Sequence, residues 1–361
     1  MFSKLEVLLE ARKKQDTYRE LVAKEGLIDF CSNDYLGIAN SLDRNQVSVK
    51  VPSGSTGSRL IRGNYSRIEE LEHKLSIFHE SDNALVFTSG YTANLGVLSA
   101  LPRKGDTILY DALSHASLKD GMRLSHAQHF SFKHNDLSDL VSKIEKAKGE
   151  VYVVVEAVYS MDGDQAPLKD LVALSKRFHF CLIVDEAHSV GVFGERGEGL
   201  VQELGLQEEV PIRIITFGKA VGCHGAAVLS SELVKNFLIN YSRPFIYTTA
   251  NSPRNVEEVF SAYHLMEQKT RTKQLRDLID CFVQLRERHG GSWIESTSAV
   301  QTYVIGESKK SKALSEALMV KGLDVRPILS PTVLEGTERL RFCIHAFNTK
   351  KELNFLFKNL L

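Results

Sequence analysis

Lys219 stands in "TFGKAVG", one residue after the run "IRIITF" (212–217), with Gly218 and Ala220 as its neighbours. An amine in that setting is short of water. Removal from water lowers a lysine's pKa and makes it a usable nucleophile or base. The stretch is not a nucleotide-binding P-loop, because it lacks the upstream glycine and a Ser or Thr after the lysine. Four other apolar runs also end in small or polar residues. "ALVF" (84–87) leads into Thr88 to Asn94, with Gly90 and Tyr91 opening a helical pattern. "TILY" (107–110) leads to His115, "VYVVVE" (151–156) to Ser160, and "FCLIVDEA" (180–187) ends in Asp185-Glu186-Ala187, followed by His188. Backbone N–H groups at a helix start attract phosphate. A carboxylate such as Asp185 can hold a proton on a heteroaromatic nitrogen.

Singly, each of these residues has a structural explanation. Thr88 to Asn94 could be a turn, Asp185 a cap or half of an ion pair, and Lys219 a surface lysine with a buried stem. His115 and His188 could be satisfied histidines, and Ser160 sits among turn formers, Met161 to Asp164. Together they form a set that no single motif explains. A phosphate cradle, an acid for a ring nitrogen and an amine match the three chemical needs of pyridoxal 5′-phosphate.

The elements around these residues follow from the patterning. The five runs lack polar alternation and are separated by amphipathic stretches, which predicts a largely parallel sheet covered by helices on both faces. Ligands of such sheets sit beyond the strands' carboxyl ends. "SRIEELEHKLSIFHE" predicts a helix with Ile68, Leu71, Leu75 and Phe78 on one face and a capping box from Ser66 to Glu69. "PLKDLVALSKRFH" predicts a second, with Pro167 at its first position. After about residue 235, charged helices precede the short strands "VQTYVIG" and "RLRFCIHA", the pattern of a smaller α+β lobe. The 361 residues exceed what one core usually serves. The expected division is an N-terminal helix and arm over 1–48, a large domain over 49–245 and a small C-terminal domain over 246–361.

Lys+Arg and Asp+Glu both number 45, so there is no basic excess for nucleic acid. The five cysteines (31, 181, 223, 281 and 343) are scattered without metal-type spacing. That pattern predicts reduced thiols, a cytoplasmic setting and no metal. The N-terminus has no signal-peptide pattern, although Leu5, Leu8 and Leu9 fit one face of a helix. No run of roughly 20 apolar residues exists to span a membrane.

"SNDYLG" (32–37), "GSTGSRLIRGN" (54–64), "FTSGYTAN" (87–94), "LSHASLKDG" (113–121), "EAVYSMDGDQAPL" (156–168), "DEAHSVGVFG" (185–194) and "TFGKAVGCHGAAV" (216–228) follow one another in this order. In these segments the chain resembles the α-oxoamine synthases, pyridoxal-phosphate enzymes of fold type I with the aminotransferase class I/II fold. The first two segments look most like the branch that serves biotin synthesis. The resemblance implies an acyltransferase that condenses an amino acid, L-alanine, with an acyl thioester such as pimeloyl-CoA or pimeloyl-carrier protein, with loss of carbon dioxide. It implies that Lys219 is the Schiff-base lysine and proton carrier. Asp185 would be the ring-nitrogen partner, His188 the contact to the ring hydroxyl and His115 the group stacked on the ring. Gly90 and Tyr91 would cradle the phosphate, with Ser160 and Thr216 as further contacts. Asn33, Arg19 and Arg326 would contact substrate, Arg326 through a forked bond to a carboxylate. It also implies a homodimer in which Thr248, in "YSRPFIYTTA", reaches the partner's phosphate.

The segment "IANSLDRNQVSVKVPS" is short for that family, and the turn after the lysine holds Cys223 and His224, which take no role in this reading. A glycine-using 2-amino-3-oxobutyrate ligase and a serine palmitoyltransferase-like enzyme share the same chemistry. A non-catalytic subunit would lack the lysine or the acid, and both are present.

Overall fold

The computed structural model describes residues 2–15, 17–21, 25–42 and 51–360. Twelve strands occur among them: β1 (Ile28–Asp29), β2 (Asn83–Phe87), β3 (Thr107–Asp111), β4 (Gln128–Phe132), β5 (Val151–Glu156), β6 (Cys181–Asp185), β7 (Ile212–Thr216), β8 (Ala226–Ser230), β9 (Val300–Val304), β10 (Leu323–Asp324), β11 (Arg326–Ile328) and β12 (Arg339–Cys343). By packing, the described chain forms two units. One holds Asn33–Ser160 and Asp164–Arg276, and the other holds Met1–Ser32, Met161–Gly163 and Asp277–Leu361. The expected boundary at residue 48 falls outside the described residues.

The first unit carries a seven-stranded sheet in the order β2-β8-β7-β6-β5-β3-β4. The pairs β4/β3, β3/β5, β5/β6 and β6/β7 are parallel, whereas β8 runs against both β7 and β2. Six strands therefore point one way and share one carboxyl edge. β5, β6 and β7 are buried along nearly their whole length, which is why they read as unbroken apolar runs. Four helices follow strands of this edge: α3 (Gly90–Ala100) after β2, α4 (Ala116–Leu124) after β3, α5 (Leu137–Ile144) after β4 and α6 (Leu168–Phe178) after β5, while α2 (Ser66–Phe78) precedes β2. Val97 and Leu98 of α3 and Leu118 and Met122 of α4 pack with Phe87, Ile108, Val154, Ile183 and Ile214 of the sheet in one core.

The other unit has the antiparallel sheet β11-β12-β9 and the parallel pair β1-β10. The N-terminal α1 (Ser3–Lys14) forms as expected, and Leu5, Leu8 and Leu9 on it are all exposed. No described helix is long and apolar enough to cross a membrane.

Two local expectations are corrected. The capping box placed at Ser66 does not form. Tyr65 takes the cap position without a side-chain bond, and Glu69 accepts instead from Asn64 Nδ2 at 2.7 Å. Pro167 is the cap of α6 rather than its first helical residue. Two strands of the seven-stranded sheet have no counterpart in the apolar pattern. β4, "QHFSF", is an edge strand with four exposed residues, and β8 follows the glycine-containing turn after Lys219.

Candidate active site

Ser89 is extended (φ −162°) and caps α3: its Oγ accepts from Thr92 N–H at 3.1 Å, while Thr92 Oγ1 accepts from Ser89 N–H at 3.0 Å. This reciprocal cap satisfies Ser89 and Thr92. Gly90 and Tyr91 keep N–H groups with no hydrogen-bond partner among the described residues, at the positive end of the helix. A Cβ at Gly90 would stand 3.4 Å from both Cβ and Oγ1 of Thr216, at the end of β7, and would narrow the space between them. The two N–H groups at this helix start form a cradle of anion-binding type, with Thr216 facing it. The Tyr91 side chain turns to α4, where its hydroxyl donates to the Asp120 carboxylate.

Asp185 ends β6 and is buried. Its Oδ1 accepts from Ala187 N–H at 2.9 Å and its Oδ2 from Asn94 Nδ2 at 2.8 Å. Asn94, buried on α3, reaches Ser117 Oγ with the same amide at 2.9 Å. His115 caps α4. Its Nδ1 accepts from Ser117 N–H at 3.2 Å, which in the neutral ring leaves the proton on Nε2. Burial lowers the pKa of this ring, the Asp185 charge opposes that effect, and the Lys219 charge adds to it. The His115 backbone N–H donates to Glu156 Oε1 at 2.6 Å.

Lys219 Nζ lies 2.6 Å from His188 Nε2, and His188 Nδ1 lies 2.6 Å from the Tyr35 hydroxyl. That hydroxyl donates to Asn33 Oδ1 at 3.1 Å. With its single proton used there, Tyr35 receives Nδ1–H from His188, and Nε2 is left to accept from the lysine. The loop after His188 meets the loop after Lys219 at Gly191 (φ +83°), where a Cβ would collide with Cβ of Ala220. Cys223 in the same turn is half-buried, and burial pushes its thiol up to about 12, so it is no nucleophile at neutral pH. His224 is exposed.

Further polar contacts hold the strand ends. His134 bonds Asp111 Oδ1 at 2.9 Å and Asp164 Oδ2 at 2.7 Å, tying the end of β3 to the loop that carries Ser160. The fully buried Arg213 of β7 meets Glu186, next to Asp185 in the chain, at 3.2 Å and donates to His79 O at 2.7 Å. Ser160 is half-buried in the loop after β5. Thr248, also half-buried, lines a small cavity with Thr88, Arg59 and Asn251.

The structure thus gathers Gly90, Tyr91, His115, Asp185, His188, Thr216 and Lys219 at one sheet edge, with Asn33 at the far end of the bonded chain through Tyr35. Arg19 and Arg326 belong to the other unit. Arg19 Nη2 lies 3.4 Å from Thr332 Oγ1. The Arg326 fork is turned to Asp324, with Nη2 3.2 Å from Oδ2 and Nε 2.8 Å from Oδ1. Asn94, Tyr35 and Glu156 are the site residues that pattern reading left unmarked. All three lie inside the family-like segments, but their partners are 91, 153 and 41 residues away.

Residues 25–360 match the family described as aminotransferase class I and II. The 8-amino-7-oxononanoate synthase of Marinobacter nauticus is 38% identical, over 98% of this chain and 94% of its own length. The chain belongs to the α-oxoamine synthase family. These are pyridoxal-phosphate-dependent acyltransferases, and this chain is one. Two solved structures share its fold. A serine palmitoyltransferase of S. paucimobilis with bound PLP has a TM-score of 0.90 and 28% identity, covering 99% of this chain and 96% of its own. The 8-amino-7-oxononanoate synthase of Francisella tularensis has a TM-score of 0.81 and 27% identity, covering 93% and 97%. An α-oxoamine synthase must hold a phosphate, a ring nitrogen and an aldehyde. The open cradle at Gly90, the two-donor carboxylate of Asp185 and the amine of Lys219 fit those three groups.

Proposed function

We propose that this α-oxoamine synthase condenses L-alanine with a pimeloyl thioester, releasing carbon dioxide and the thiol, to form 8-amino-7-oxononanoate for biotin synthesis. The observation that carries this reading is the name shared by its curated relatives, at 36–38% identity over at least 91% of this chain.

When bound, pyridoxal phosphate supplies an electron sink for the pair released at the amino acid's α-carbon. The chain's own groups do the rest. Gly90 and Tyr91 N–H bind the phosphate, with Thr216 and Ser160 beside it. Asp185, whose carboxylate accepts from two N–H donors, keeps a proton on the ring nitrogen. His115 offers a neutral ring as a stacking face. His188 Nε2 holds the Lys219 amine, and Nζ takes the α-proton and returns one after carbon dioxide leaves. Arg326 receives the pimeloyl carboxylate, for which it must exchange its contact with Asp324; Arg19 and Asn33 are further substrate contacts. A second copy of the chain supplies Thr248 to the phosphate, which makes the working unit a homodimer.

The test is release of free thiol from pimeloyl-CoA across a panel of amino acids. Alanine is expected to give the highest kcat/KM. A second reading, a serine palmitoyltransferase-like enzyme, draws on the higher TM-score with that neighbour, 0.90 against 0.81. Faster release with serine and a long-chain thioester would establish it instead. Borohydride reduction of the loaded protein should attach the cofactor covalently, and Lys219→Ala should abolish the attachment; attachment that survives overturns the role given to Lys219.

A further inference from the structure

We infer that Glu156 is a positioning residue of this reaction that works as an uncharged acid, anchoring the backbone of His115 while leaving Asp185 the one negative charge at the paired strand ends. The inference rests on the reading of this sheet edge as the cofactor site.

Glu156 and Asp185 are the last residues of neighbouring parallel strands and stand in direct register, so their side chains leave the sheet on the same face. Both are buried, at 3% and 5% exposure. Two carboxyl groups so placed away from water do not both ionise, and one keeps its proton. The donors decide which. Asp185 accepts from two N–H groups, Asn94 Nδ2 and Ala187 N, whereas Glu156 accepts from one, His115 N. Donors favour the charged form, so Glu156, with the fewer donors, is the one that keeps its proton.

The other ionisable groups facing Glu156 are Lys219 beyond β7, Asp111 at the end of β3, His115 and Tyr159. Burial comes first among the influences and the Asp185 charge second. Against Lys219 and the His115 N–H they push the carboxyl up to about 8. At neutral pH Glu156 is therefore an acid with an O–H, and its anchoring oxygen still accepts from His115. A second charge appears only as the pH rises through that value. It then competes with Asp185 for the positive charge on which the site depends.

The experiment compares loaded wild type with Glu156→Gln and Glu156→Ala. Infrared spectra of wild type at pH 7 should contain a protonated carboxylic acid carbonyl band that E156Q lacks and that wild type loses by about pH 10. E156Q keeps an uncharged acceptor for His115 N–H. It should lose about threefold in kcat/KM at pH 7, against roughly thirtyfold for E156A. Its alkaline limb should also move to higher pH. The inference is overturned if wild type and E156Q show the same acid band. It is equally overturned if E156Q falls as low as E156A with an unshifted limb. The infrared comparison needs no substrate. It therefore decides the protonation of Glu156 even if the proposed condensation fails with every thioester, and the two failures stay distinguishable.

Discussion

His134 offers the sharpest quantitative test of how the strand ends are held. Its two ring nitrogens meet the carboxylates of Asp111, which is fully buried, and Asp164. Burial alone would lower its pKa, but the two carboxylates outweigh burial and raise it from 6.5 to about 10. At about 1.36 kcal/mol per pH unit, that rise corresponds to about 5 kcal/mol. The side chain keeps 27% exposure. Solvent screening reduces the contribution to about 2–4 kcal/mol at neutral pH. The folded-state pKa lies above the unfolded one. The stabilisation is therefore complete below pH 6.5 and disappears as the pH rises through about 10. His134→Gln removes the charge and keeps one donor. Urea unfolding at pH 7 should show a loss of about 2–4 kcal/mol relative to wild type, shrinking to under about 1 kcal/mol near pH 11. A difference that stays constant from pH 7 to 11 would refute the reasoning, because it would mean that the ring is neutral in the folded protein. The same substitution should weaken pyridoxal phosphate binding, since the clamp joins the strand end before His115 to the loop of Ser160.

Three further outcomes are expected. Asn94→Ala removes one of the two donors to Asp185 and should raise the Kd for pyridoxal phosphate about tenfold in a titration of its visible band; an unaltered Kd would remove Asn94 from the site. Tyr35→Phe takes away the hydrogen-bond partner of His188 Nδ1 and should lower kcat about three- to tenfold with little change in KM; a change in KM alone would contradict the chain from Asn33 to Lys219. Arg213→Met strands the buried Glu186 carboxylate and should cost about 3–5 kcal/mol in urea unfolding, part of it regained when Glu186→Gln is added; equal stability of Arg213→Met and wild type would show that the pair contributes nothing.

Much of the fold is legible in the apolar pattern, for identifiable reasons. β5, β6 and β7 are buried along both faces, so they read as continuous runs. β4 lies at the sheet edge with four exposed residues, and its pattern carries no such mark. Local capping depends on backbone geometry as well as residue type. Ser66 and Glu69 have the spacing of a capping box, yet Ser66 already lies inside its helix; reciprocal caps form at Ser89/Thr92 and Thr349/Glu352, where the first residue is extended. For the site, five strand ends could be singled out because polar residues stop apolar runs there. Asn94 and Tyr35 could not, because their partners Asp185 and His188 come close only after β2, β6 and the segment before residue 42 have packed.

The order of residues alone determines the kinds of groups available: an amine after β7, an acid at the end of β6, small residues opening α3. Those are local properties, written in neighbouring positions. The protonation of those groups is not local. Sheet register puts Glu156 beside Asp185, and the fold sets Asp111 and Asp164 on either side of His134. Charge interaction and loss of water act through space, over a few ångströms. Such distances between distant parts of the chain exist only once the sheet is assembled, so the tertiary structure decides which acid keeps its proton and which histidine carries a charge.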